Sequence, residues 1–403
     1  MIHSSLRSVF WRTLGAKRGF SARLGRQGPP LCRLLVMFVL VVAAFPVFAG
    51  ESFMFVQLSD PQFGLGGYRR DVLRFEQAIR QINELKPDFV VVCGDLVNQA
   101  LLGGTLEHFA KEKSALAMPC YCVPGNHDIG AVSVDLLARY RRVIGHDYYE
   151  IEHKGRVFLM VNSELWAVNV PEESQKHEEW FKTSLEKASA AGKPVFVVAH
   201  RPLYVANPDE PSDVWNIPLE KRRELLGWME RYGAVAWLSG HIHTDTVNDF
   251  KGMQLVSSVT TSVSFFERPF GFHVWHIGDA RPYKEELVCL DLSKLNTGKD
   301  VTGTVSGLRN GEECVVVVLS GRHTPQGQWT IESLLRLEQQ SWVLETAKDG
   351  KFAAKGIPQE TVTVVAIGLM SESGVLQTRF ETRVLEPSDV GAEPLLFVFK
   401  EEK

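Results

Sequence analysis

The chain has 403 residues, 45% hydrophobic and 23% charged, with 33 Gly and 19 Pro, and this unbiased composition excludes a fibrous or unfolded chain. At about 150 residues per domain, that length predicts two or three domains. The formal charge of −4 is uneven: residues 1–50 hold seven Lys or Arg and no acid, leaving 37 of the 44 basic residues against all 48 acidic ones, and a net −11 over the rest excludes a general nucleic-acid or anionic-membrane binder.

The first fifty residues read as an address. Basic residues lead into the apolar run Leu34–Phe45, long enough for a signal h-region and too short to span a bilayer comfortably, and Val47-Phe48-Ala49 follows as a peptidase site. Cleavage after Ala49 is expected, removing 1–49 and exporting the body to a periplasmic or extracellular space. An uncleaved membrane anchor, a mitochondrial-type transit peptide and a start read upstream of the true one are the competing readings; membrane contact follows only from the anchor. Cleavage removes Cys32 and leaves five cysteines, an odd number. Cys93, Cys120 and Cys122 lie in apolar runs and read as small buried hydrophobes, and no spacing fits a disulfide framework or a zinc site.

Beyond residue 50, short apolar runs alternate with helical patterns, the signature of an α/β fold with buried strands. Phe53–Leu58 and Phe89–Cys93 read as strands. Between them Val72, Phe75, Ile79 and Ile82 recur at three- and four-residue steps until Pro87, which predicts an amphipathic helix with one face on a sheet. Cys120–Val123, Val157–Val161, Val195–Ala199 and Val235–Leu238 read as strands, Glu178–Ala190 and Leu219–Arg231 as helices. After Val274–Ile277 the character changes. From about Glu285, the strands Cys314–Leu319, Val343–Glu345, Thr361–Ile367 and Leu395–Phe399 alternate with the turn pairs Asn310-Gly311 and Asp349-Gly350. The expected organisation is an α/β domain over 50–280 and a separate all-β sandwich over 285–403.

Polar side chains gather where the α/β strands end. Asp60-Pro61-Gln62 follows the first, Gly94-Asp95 with Asn98 the second, and Gly125-Asn126-His127-Asp128 the third; His200 follows the Val195 strand and Gly240-His241-Ile242-His243 the Val235 strand. Ligands bind outside the carboxyl ends of strands in open α/β sheets, so these five clusters are expected to converge. Oxygen donors mixed with imidazoles suit divalent Mn, Fe, Zn, Ni or Co.

In this order, D-x-Q, GDxxN, GNHD, H and GHIH resemble the motifs of the calcineurin-like metallophosphoesterases over roughly residues 52–280. The resemblance implies a four-layer α/β/β/α sandwich holding two metal ions, one on Asp60, Gln62 and His243, the other on Asn126, His200 and His241, with Asp95 bridging. It implies further that Asn126 and His127 face the substrate phosphate and that His127 protonates the leaving oxygen. The family's commoner first motif has His where this chain has Gln62. The surrounding DPQFG resembles an Asp-x-Gln branch of the family, and a carboxamide oxygen is a weaker, harder ligand than imidazole, so metal identity stays open. More weakly, Asp349-Gly350-Lys351-Phe352 resembles a turn and strand of transthyretin-like β-sandwiches.

The chemistry of such a site follows from charge. A phosphate ester is anionic and repels nucleophiles; two dications neutralise its oxygens, hold it in line and lower the pKa of a bridging water. Asp60 and Asp95 offset only part of the charge of two divalent ions, so an anionic substrate is favoured even on an acidic protein. Arg268, in the Phe265–Phe270 loop, is a candidate substrate contact. Asp128 reads as a supporting or helix-capping carboxylate and Asn98 as a turn residue. Trp215, with Tyr204 and the Pro208–Pro211 loop, lines a pocket or packs; the other histidines, His177 and His273 among them, read as packing or solvent residues. The function expected is hydrolysis of a phosphorylated small molecule or phosphoprotein, monoester or diester, by a metal-bound hydroxide. The competing class is a metal-binding pseudoenzyme acting through its β-sandwich, which the retention of His127 and every ligand position disfavours.

Overall fold

Apolar runs too short for helices and rich in Val and Phe form the centre of the molecule, as strands covered on both faces. A computed structural model describes residues 51–399 except 102–103, 131–133, 296–297, 324–328, 331–332, 334–336 and 373–374. The expected leader, with its cleavage site, lies outside the described residues. In chain order come β1 (Phe53–Leu58), α1 (Tyr68–Leu85), β2 (Phe89–Cys93), α2 (Thr105–Lys113), β3 (Cys120–Val123), α3 (Asn126–Ile129) and α4 (Val134–Val143). Then follow β4 (Tyr149–His153), β5 (Arg156–Met160), α5 (Glu164–Ala167), α6 (Pro171–Ala190), β6 (Val195–Val198), α7 (Leu219–Tyr232) and β7 (Ala234–Ser239). The last strands of this part are β8 (Thr246–Phe250), β9 (Met253–Ser257), β10 (Gly271–Ile277) and β11 (Lys284–Cys289).

These strands make two mixed sheets, β11-β10-β1-β2-β3 and β4-β5-β6-β7-β9-β8. Their facing sides meet in an aromatic layer: Phe55 stacks on Phe89 at 5.2 Å and meets Phe158 edge-on at 5.2 Å, and Phe158 stacks on Phe196 at 4.7 Å. On the outer face of the first sheet, Val72, Phe75, Ile79 and Ile82 of α1 are all buried, as their periodicity predicts. α6 and α7 cover the second sheet with Phe181, Leu185, Leu225 and Met229. The result is the four-layer α/β/β/α arrangement.

Two expected boundaries move. β11 pairs with β10, and Leu290 joins the core under α1, so the first sheet continues past Glu285. α6 starts at Pro171 rather than Glu178, because Pro at the first helical positions and Glu172 and Glu173 in the first turn begin a helix that carries no apolar stripe there.

The C-terminal part is all β. It comprises β12 (Lys299–Ser306), β13 (Glu313–Ser320), β14 (Ser341–Thr346), β15 (Lys351–Ile357), β16 (Val362–Glu372), β17 (Val375–Leu385) and β18 (Leu395–Val398), in sheets β15-β12-β18 and β14-β13-β16-β17. Val301, Phe352 and Phe397 of the first share an apolar core with Val316, Val318 and Val364 of the second. Asp349 (φ 51°) and Gly350 (φ 68°) are both left-handed, as a type I′ turn requires. This part touches the start of α1: the Tyr68 N–H donates to Ser341 Oγ at 2.9 Å, and Gly67 sits where any Cβ would collide with the Trp342 carbonyl. The described residues form one compact unit. The five described cysteines are free, and no described helix is long and apolar enough to cross a membrane.

Candidate active site

Each polar cluster begins where a strand stops, and the chain turns sharply there. Of the ten described non-glycine residues with left-handed φ, five are Asp60 (49°), Gln62 (39°), Asp95 (50°), His241 (69°) and His243 (52°). That conformation costs a non-glycine residue about 1 kcal/mol or more, so packing must enforce it. The Asp60 N–H donates to the Gly94 carbonyl (3.2 Å) and the Gln62 N–H to the Asp95 carbonyl (2.9 Å), tying the first two strand ends together. Asp128 ties the second to the third: its carboxylate accepts the N–H groups of Leu96 (2.9 Å), Val97 (3.2 Å) and Gly125 (2.8 Å). A Cβ at Gly125 would collide with the Asp95 carboxylate, and one at Gly240 with Ser59 and Asp60, which is why glycine precedes Asn126 and His241.

Main-chain carbonyls orient the imidazoles. His200 Nδ1 donates to Cys93 O (2.8 Å), leaving Nε2 3.0 Å from Asn126 Oδ1 and 3.4 Å from Asp95 Oδ2. His243 Nδ1 donates to Val263 O (2.5 Å), leaving Nε2 3.3 Å from Asp60 Oδ1. His241 Nε2 donates to Val214 O (2.8 Å), leaving Nδ1. His127 Nδ1 donates to Asn98 O (2.9 Å), and its own N–H donates to Asp95 Oδ1 (2.9 Å). Asn98 thus acts through its carbonyl. Fixing one ring nitrogen leaves the other as a directed lone pair or proton carrier.

Asp95, His200 and His241 present donor atoms within 4.8 Å of one another. Burial alone would raise Asp95 and lower His200, but each outweighs that for the other: Asp95 stays well below the usual carboxylate range and His200 is pushed up to about 10. Burial, His200 and Arg201 together push His241 down to about 3. Asp60 Oδ1 and Gln62 Oε1 are buried without a hydrogen-bond partner among the described residues; His243 Nε2, though 3.3 Å from Asp60 Oδ1, does not satisfy it. A buried orphan acceptor costs about 1–3 kcal/mol. Two of them beside imidazole lone pairs and a second carboxylate are the donor set of a divalent cation site.

Gln62, Asp95, Asn126, His127, His241 and His243 line one cleft of about 370 Å³, with His200 and Asp60 buried behind it. Arg268 does not join them; it is exposed, and its N–H donates to Ser264 Oγ. The guanidinium in the cleft wall belongs to Arg201, which the sequence reading passed over although it adjoins His200 at a strand end. It makes a bidentate pair with the buried Glu164 carboxylate (2.9 Å), and Nη1 lies 3.2 Å from His241 Nε2. Trp215 and Phe265 complete the mouth, Phe265 stacking on His243 at 4.4 Å.

The calcineurin-like phosphoesterase family model matches residues 53–245. Serine/threonine-protein phosphatase CPPED1 of Danio rerio is 31% identical over 247 residues, covering 55% of this chain and 80% of that protein. Human CPPED1 is 29% identical, covering 58% of this chain and 84% of that one. The 3',5'-cyclic adenosine monophosphate phosphodiesterase CpdA of Escherichia coli (strain K12) is 27% identical over 184 residues, covering 44% and 62%. The matched stretch holds all five strand-end clusters in order, and on these grounds the chain belongs to the calcineurin-like phosphoesterase family and is a phosphoric ester hydrolase.

Proposed function

We propose that this hydrolase works with two divalent ions, one on Asp60, Gln62 and His243, the other on Asn126, His200 and His241, with Asp95 shared. The observation that carries the reading is the pair of buried oxygens, Asp60 Oδ1 and Gln62 Oε1, that no donor among the described residues satisfies. When bound, such ions neutralise phosphate oxygens and acidify a water. The chain's own residues do the rest. Asn98 O holds the His127 ring so that Nε2 exchanges a proton with the leaving oxygen. Arg201, held by Glu164, adds a fixed positive charge at the cleft wall. Mn, Fe, Zn, Ni and Co all suit the mixed donors.

Phosphomonoesters, phosphoproteins included, are the proposed substrates, in keeping with the CPPED1 names; the likeness to CpdA supports phosphodiesters as the second reading. The test is chelation, then reconstitution with each metal, assayed on mono- and bis-p-nitrophenyl phosphate with metal content measured. Activity should vanish and return with a first-row divalent ion at about two per chain, and the monoester should be preferred. Full activity in demetallated protein overturns the reading. We propose also that residues 1–49 are a cleaved export leader, so mass spectrometry of exported protein should find Gly50 at the mature start; intact Met1 in membranes would favour the anchor.

A further inference from the structure

Next to the cleft is a second cavity, of about 410 Å³, whose apolar walls are Val205, Pro211, Trp215, Ile242 and Phe266. Two features make it continuous with the site. Ile242 lies in the chain between His241 and His243, and Trp215 lines both cavities, its ring 5.6 Å from that of His241.

Glu210 and Asn216 in its wall are already engaged. The Glu210 carboxylate accepts the N–H groups of Val205 (2.7 Å) and Ala206 (2.8 Å) and Asn216 Nδ2 (2.7 Å), while Asn216 Oδ1 accepts the Asp213 N–H (3.0 Å). Among the described residues no Lys, Arg or His lines this cavity, whereas the cleft has Arg201, His127, His241 and His243. Its charged wall residues among those described, Glu210 and Asp213, are both acidic, which disfavours an anionic group there. Four of the twelve exposed large hydrophobics among the described residues, Val214, Trp215, Phe265 and Phe266, gather where the two cavities open. Such a patch beside a polar site marks where an apolar ligand covers it.

We infer that the second cavity seats the organic group of the phosphoester, and that this group is an alkyl chain or an uncharged aromatic ring. The phosphate then lies in the cleft and the leaving group extends past Trp215 over Ile242 to Phe266. The inference rests on the phosphoesterase reading and deepens it, by excluding substrates with a second anionic group close to the scissile ester.

Titration of metal-loaded protein with n-alkylphosphonates from methyl to hexyl tests it by calorimetry, because phosphonates bind without being hydrolysed. The dissociation constant should fall about two- to fourfold for each methylene that enters the cavity, the size expected from burying one CH2. Phe266 is 65% exposed and outside the cleft lining, so Phe266→Ala should fold normally, leave methylphosphonate affinity unchanged and flatten the series; Phe266→Asp should flatten it further. A dissociation constant independent of chain length, or a slope that Phe266→Ala leaves intact, overturns the inference. Ethyl and hexyl phosphate, whose leaving groups are alike in acidity, separate the two readings. Turnover without a chain-length effect sinks the cavity assignment alone. A phosphonate slope without any turnover sinks the hydrolase reading and leaves the cavity standing.

Discussion

Asp60, Gln62 and His243 are all at most 2% exposed, whereas of Asn126, His200 and His241 only His200 is fully buried. The two halves of the proposed metal centre also differ in donors and in what supports them. The first half offers two oxygens, from Asp60 and Gln62 on a loop held by Asp71, which accepts the N–H groups of Gly64 and Gly66 at 3.0 Å, and by the contact of Gly67 and Tyr68 with β14, together with one imidazole, His243, held by the Val263 carbonyl. The second offers two imidazoles and rests on Ser163, whose Oγ accepts the N–H groups of His200 (3.3 Å) and Arg201 (3.0 Å), and on Glu164. On the two-ion proposal, a closed, oxygen-rich half beside an open, nitrogen-rich one would hold its two ions unequally and would turn the open half to the substrate.

Asp95→Asn erases the distinction, since it removes the shared carboxylate. Activity should fall by about three orders of magnitude or more and both ions should be lost, as read by metal analysis after gel filtration; retention of either ion would show that the halves are independent. His127→Ala should keep both ions and lose about 10²- to 10⁴-fold in kcat, most with poor leaving groups. An equal loss for good and poor leaving groups removes the proton-transfer role.

Gln62→Ala should weaken one ion only, by about ten- to a hundredfold, and Gln62→His should shift that ion's preference toward Zn or Fe. Unchanged titrations across both variants would mean that Gln62 is not a ligand. Truncation asks whether the first half needs the C-terminal sheets. A chain cut after Leu295 keeps β11 and should fold, yet lose affinity for the first-half ion about tenfold, because Ser341 and Trp342 no longer support the loop. A cut at Gly278 should be insoluble, since it strips β11 from β10 and bares an edge.

The smallest effects separate the supports by pH. Asp71 is raised to about 6 by burial, against Arg74 and the Gly66 and Gly64 N–H groups. Its folded pKa lies above its unfolded one, so its contribution is full below pH 3.8 and lost as pH rises through about 6. His177, lowered to about 3 by burial, accepts the Asn162 N–H under the second half; its contribution is full above pH 6.5 and lost as pH falls toward 3. Relative to wild type, Asp71→Asn should gain about 2 kcal/mol between pH 4 and pH 8, and His177→Gln about 3 kcal/mol between pH 8 and pH 4. Urea unfolding at both pH values reads this, and parallel curves would refute it.

Central strands are legible because burial on both faces writes a nearly continuous apolar run: β1 and β2 begin and end where the runs do. Strands with one exposed face are not. β4 (YEIEH) and β8 (TVNDF) alternate partly buried with exposed residues, and β11 reads as the start of the C-terminal part although it completes the first sheet. Site residues are legible for the same local reason, since each polar cluster is written directly after an apolar run. What the sequence by itself determined, then, is which residues stand at strand ends and in what order. Only the tertiary structure decided that Arg201 rather than Arg268 enters the cleft, that His200 leans on a carbonyl 107 residues away, and that Ile242 opens a second cavity. Periodicity is a property of neighbours in the chain, whereas these contacts depend on sheet register and twist, which set where distant strand ends meet.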